Sequence, residues 1–64
     1  MDTKTYRAIE ASIELEFCND EGEVEATLPQ QTEFLRQKGF SEEDINFWIN
    51  IWKWDENGNC IGLK

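Results

Sequence analysis

Carboxylates are the residues of this chain best placed to do chemistry. Seven of its fourteen acidic residues, Glu10, Glu14, Glu16, Asp20, Glu21, Glu23 and Glu25, crowd into residues 10–25. Paired carboxylates divide acid and base roles only where a pocket drives their pKa values apart, and the sequence offers no companion groups for such work. The chain has no histidine, which removes the commonest general base and the commonest metal ligand. No Ser-His or Cys-His nucleophilic pair can be built. Glycines at 22, 39, 58 and 62 are too scattered for a phosphate-cradling loop. Cys18 has no basic neighbour to activate its thiol. The expectation is a protein that is not an enzyme and carries no cofactor.

One metal motif is present in part. Asp55, Asn57 and Asn59 follow a helical stretch and match the first three ligand positions of a calcium loop. Cys60 then stands where the invariant glycine belongs. An Asn57-Gly58 type I′ turn accounts for the same residues, so no metal is expected.

What remains for the carboxylates is their field. The net charge of −8 is polarised: residues 1–28 hold eight acids and two bases, a net of −6, and residues 29–64 hold six and four, a net of −2. Such a field repels nucleic acid and anionic membrane, and steers association with basic proteins.

The elements that would carry these groups follow from hydrophobic spacing. Ile9, Ala11, Ile13, Leu15 and Phe17 alternate with Glu10, Ser12, Glu14 and Glu16, the pattern of a half-buried strand. Asn19, Asp20, Glu21 and Gly22 are turn formers. Val24, Ala26 and Leu28 then alternate with Glu23, Glu25 and Thr27. A β-hairpin that pairs Phe17 with Val24 keeps the apolar residues on one face and sets Glu16 opposite Glu25. Carboxylates on its other face would repeat every ~6.6 Å, close to twice the ~3.4 Å rise per phosphate in one DNA strand. Glu10, Glu14, Glu16, Glu23 and Glu25 thus read as phosphate surrogates, with Asp20 and Glu21 at the loop tip. The competing explanation is a solvated sheet face, charged to keep edges from pairing.

Helices are expected in the second half. Thr27 and Gln30 have capping-box spacing around Pro29, which starts a helix over residues 28–38, and Gly39 is a natural terminator. Ser41 caps a second helix, whose first turn holds Glu42, Glu43 and Asp44. Those acids disfavour a DNA-reading role for that helix. Ile45, Trp48, Ile49 and Trp52 form one stripe along it, and Phe47, Ile51 and Trp54 form a second. Residues 50–56 also fit a strand that turns at Asn57-Gly58 and sets Trp52 and Trp54 against Leu63 and Ile61.

The expected architecture is α+β in one domain, residues 1–64: an N-terminal antiparallel hairpin, two short helices packed on one sheet face, and a short C-terminal strand or hairpin. Cys18 and Cys60 are too few for a disulfide scaffold and read as small, partly buried cytosolic thiols. The start of the chain lacks the apolar core of a signal peptide, and no stretch reaches the ~20 apolar residues needed to span a bilayer. A cytoplasmic protein is expected. Its expected function is a non-catalytic, phage- or mobile-element-type inhibitor that sets the acidic face on a basic surface of a nucleic-acid-binding protein. The alternative is an adaptor or homodimer that works through Phe47, Ile51 and Trp54.

Overall fold

The computed structural model describes residues 2–64. Three helices are followed by a two-stranded antiparallel hairpin: α1 (Thr3–Phe17), α2 (Leu28–Gln37), α3 (Glu42–Asn50), β1 (Trp52–Trp54) and β2 (Cys60–Leu63). The strands therefore lie at the C-terminal end, and the expected N-terminal hairpin is absent.

That segment is the 15-residue helix α1. Asp2 caps it, accepting a hydrogen bond from the Thr5 backbone N–H at 2.7 Å. Strand and helix templates share Ile9, Ile13 and Phe17. They part at Ala11 and Leu15, which a strand would bury, and at Tyr6, which only a helix brings onto the same stripe. The structure buries Ile9 and Ile13, packs Tyr6 and Phe17 against the core, and leaves Leu15 90% exposed. Ala8, Glu10, Ala11, Glu14, Leu15 and Glu16 are strong helix formers, and glutamate is depleted in strands. Propensity and the 3.6-residue stripe thus agree, and the apparent alternation was coincidental. With the hairpin goes the Glu16–Glu25 cross-strand pair. A single antiparallel bridge, Cys18 to Val24, joins the end of α1 to the chain beyond its turn.

The second half lies close to its expected boundaries. Thr27 and Gln30 form a reciprocal capping box with Pro29 in the first turn of α2. Ser41 caps α3 by accepting from the Asp44 N–H at 3.1 Å. Helix α3 stops at Asn50, and residues 52–54 continue as a strand. Trp52 faces Leu63, but a bulge beyond Lys53 sets Trp54 against Cys60 rather than Ile61.

Ile9, Ile13, Leu35, Ile45 and Trp48 form one core shared by all three helices, flanked by Phe17, Phe34, Phe40, Ile49, Ile51 and Trp52. Fully burying each such aliphatic side chain is worth about 1.5–3 kcal/mol. Trp48 carries the packing outward, with its ring 5.5 Å from Tyr6 and 5.3 Å from Trp52.

Two five-residue loops share one design. In residues 19–23 the Asn19 N–H donates to the Glu23 carbonyl, the Gly22 N–H donates to the Asn19 carbonyl, and Asn19 Oδ1 accepts from the N–H groups of Glu21 and Glu23. In residues 55–59 Asp55 makes the same four hydrogen bonds with Asn59, Gly58 and Asn57. Each loop puts its glycine at positive φ, 81° for Gly22 and 84° for Gly58. Asn57 does not take positive φ, so the expected type I′ turn, which needs it at both central residues, gives way to a loop organised by the Asp55 carboxylate.

Candidate functional site

A groove of about 350 Å³ opens between α1 and the hairpin, within the size range of ligand pockets. Helix α1 contributes Glu10, Ile13 and Glu14, which share one face by their i, i+3, i+4 spacing. The loop after α1 brings Glu23 and Val24, and the remaining wall is Gln31, Trp48, Trp52, Trp54 and Cys60. All three tryptophans of the chain line this one groove, alongside three carboxylates and no lysine or arginine.

Two of the indoles are held by hydrogen bonds. Trp48 Nε1 donates to Gln31 Oε1 at 2.9 Å, and Gln31 Nε2 donates to the Ala26 carbonyl at 3.2 Å. Gln31 is only 3% exposed and Trp48 4%, so this relay fixes both side chains inside the protein. Trp54 Nε1 donates to the Ile49 carbonyl at 2.9 Å. Trp52 Nε1 is buried without a partner.

The carboxylates are not neutralised internally. Among the described residues, salt bridges join only Arg36 with Glu33 and with Glu42. Lys38 lies over the Phe34 ring, 5.4 Å from its centroid, and exposed Lys53 alternates with Trp52 and Trp54 along β1, off their face. No group of three or more carboxylate or thiol side chains among the described residues converges closely enough to hold a metal ion. The groove acids line a common surface without meeting at one point.

The charges of α1 also run against its dipole. The Asp2 carboxylate complements the positive end as N-cap, but Lys4 and Arg7 also lie toward that end, Glu14 and Glu16 lie near the C-terminal end, and the last turn holds no basic residue. Cations at a helix N-terminus and anions at its C-terminus are both unfavourable. By contrast α2 ends with Arg36, and α3 begins with Glu42, Glu43 and Asp44. Of the three helices, only α1 carries anions near its C-terminal end, a placement that opposes helix stability.

No protein-family model, curated protein or solved structure matches this chain.

The sequence-predicted residues divide as follows. Glu10, Glu14 and Glu23 meet at the groove. Glu16 faces a shallower depression beside Phe17, Glu33 and Phe34. Asp20 and Glu21 sit exposed at the loop tip, and Glu25 accepts from Asn19 Nδ2 at 2.8 Å. Phe47, Ile51 and Trp54 do not share one helix face. Phe47 is 44% exposed on α3, Ile51 follows the end of α3 and packs on the core, and Trp54 belongs to β1 and the groove. Cys18 and Cys60 are free and exposed rather than partly buried. Among the described residues, no helix is long and apolar enough to cross a membrane.

Sequence reasoning missed Gln31, Trp48 and Trp52 as site residues. The signal for Gln31 was available: it interrupts the Leu28, Leu35 stripe with one polar side chain, the mark of a buried hydrogen-bonding role.

Proposed function

We propose that this chain is a non-catalytic binding protein that docks a basic surface of a partner protein onto the acidic side formed by α1 and residues 18–25. The observation that carries the reading is the group of seven carboxylates over residues 10–25, none in a salt bridge among the described residues. Glu14 and Glu16, near the C-terminal end of α1, weaken that helix, which favours a role in recognition over one in folding. A nucleic-acid-binding protein is the partner class most apt to present a complementary surface. The ~6.6 Å carboxylate repeat belongs to strands and no longer supports a phosphate-by-phosphate mimic. The partner would recognise the field and the groove.

The test compares two variants of equal net charge for binding to poly-L-lysine. One changes Glu14, Glu16, Glu23 and Glu25 to glutamine; the other changes Glu33, Glu42, Glu43 and Glu56. Affinity should fall at least tenfold only in the first variant, and the wild-type affinity should weaken with salt. Equal losses in the two variants, or binding insensitive to salt, would overturn the reading.

A further inference from the structure

We propose that the groove is a lysine-binding site, taking the ammonium and methylene stem of a lysine side chain presented by the partner. This rests on the reading just given and narrows it to one cavity. The lining, its uncompensated charge and the spread of its acids point to an organic cation, and the rigidity of its walls favours binding.

The lining pairs indole rings with carboxylates and includes no base. Tryptophan is the ring most attractive to a cation over its face, and an apolar wall suits the four-carbon stem of lysine while its charged head stays near the acids. Glu10 and Glu14 are successive like charges at i, i+4 on α1, with Glu23 from the following loop against the same groove. A bound cation removes repulsion that the free protein leaves uncompensated.

The acids do not converge as metal ligands do. That dispersion favours a rotatable ammonium with three donors over a bare ion. It also disfavours arginine, whose planar fork is best matched by one carboxylate. This chain shows that alternative at its surface, where Arg36 Nε and a terminal guanidinium nitrogen reach the two oxygens of Glu42 at 3.2 and 2.8 Å. Finally, the walls are pre-formed. Gln31 ties Trp48 to the Ala26 carbonyl, and Trp54 is anchored to Ile49, so little ordering is required on binding.

The experiment titrates capped alanine pentapeptides bearing lysine, arginine or norleucine at the central position, and follows the three indole N–H signals by two-dimensional NMR. The lysine peptide should move the Trp52 and Trp54 signals saturably and bind at least threefold tighter than the arginine peptide, with no response to norleucine. Changing Glu10, Glu14 and Glu23 to glutamine should weaken lysine-peptide binding at least tenfold. The equally charged variant with Glu16→Gln, Asp20→Asn and Glu21→Gln should bind as wild type does. Indole signals that do not respond to the lysine peptide, equal effects of the two variants, or a preference for arginine would each overturn the proposal. If those results appear while the poly-L-lysine comparison still succeeds, only the groove assignment fails; failure of both removes the docking reading as well.

Discussion

The backbone N–H of Leu28 donates to the carbonyl of Gly58 at 2.7 Å. Leu28 opens α2 and Gly58 lies in the loop between β1 and β2, so one hydrogen bond ties the hairpin to the start of a helix 30 positions earlier. Helix N-termini carry unsatisfied donors, and here a distant loop supplies the acceptor. This bond and the Trp54–Ile49 bond position the hairpin that forms one side of the groove.

Gly58→Ala tests how much that loop geometry matters. The backbone φ of 84° is unfavourable for alanine, whereas a Cβ would meet Pro29 Cδ at 3.5 Å and Leu28 N at 3.6 Å, ordinary contacts. The expected cost is about 1 kcal/mol, from the left-handed conformation alone. Gly22→Ala has nearly the same φ and open space around it, so urea denaturation should give both variants similar losses. A Gly58→Ala loss several times larger would mean that the added methyl group disrupts the Leu28 bond.

The buried relay predicts unequal tryptophans. Removing the Gln31 amide leaves the Trp48 indole N–H and the Ala26 carbonyl buried without partners. Gln31→Leu should therefore cost about 1–3 kcal/mol. The Gln31→Leu, Trp48→Phe double variant should lose less than the sum of its parts, with a coupling of about 0.5 kcal/mol or more. Trp52→Phe removes a donor that has no partner and should cost less than Trp48→Phe. Thermal denaturation that ranked Trp52→Phe as the more damaging change would contradict this account.

How far the sequence foretold this molecule differs between its halves. Capping signals are local chemistry, a side chain reaching its own backbone three residues away, so Thr27, Gln30 and Ser41 placed α2 and α3 closely. Residues 9–17 were ambiguous because Ile9, Ile13 and Phe17 fit both a period of two and a period of 3.6. Within that window only Ala11 and Leu15 separate the two periods, and the clearest helix signals lay outside it, with Asp2 as the cap and Tyr6 as the next turn of the stripe. The site shared this fate. Glu10 and Glu14 were legible as a charged pair, but on a strand they would face solvent with Glu16, whereas on a helix they turn toward the groove and leave Glu16 on another side. Bringing the three tryptophans into one wall depends on α3 ending at Asn50, which packing decides and local propensity does not.

Acid should weaken the fold through two identifiable carboxylates. Hydrogen bonding from the Thr5 backbone N–H holds Asp2 below its ordinary value of 3.8, and the Arg36 guanidinium holds Glu42 below 4.5 through its hydrogen bonds. A folded-state pKa below the unfolded one gives stabilisation that is present above the unfolded value and lost as pH falls through the folded value. The window therefore opens near pH 4.5 and extends downward. The comparison is differential, variant against wild type, so that it reads these two groups alone. Changing Asp2 to Asn, which still caps, and Glu42 to Gln should flatten the fall in melting temperature relative to wild type. Parallel profiles would show that neither group is linked to folding.

The charge layout of α1 makes the sharpest prediction, because it sets stability against binding. Glu14 and Glu16 occupy the negative end of the helix dipole with no basic residue in the last turn, and Glu14 also repels Glu10 one turn earlier. Glu14→Gln and Glu16→Gln should each stabilise the fold, by about 0.3–1 kcal/mol at low salt, with the gain shrinking as salt rises. Only Glu14 lines the groove. Glu14→Gln should thus raise the melting temperature while lowering affinity for the lysine pentapeptide, and Glu16→Gln should raise the melting temperature and leave that affinity unchanged. A stability gain in both variants with a binding loss in one would tie the misplaced charge of α1 to the groove. If either substitution destabilised the protein, its carboxylate would have a structural partner in solution, and the view that these charges oppose folding would be wrong.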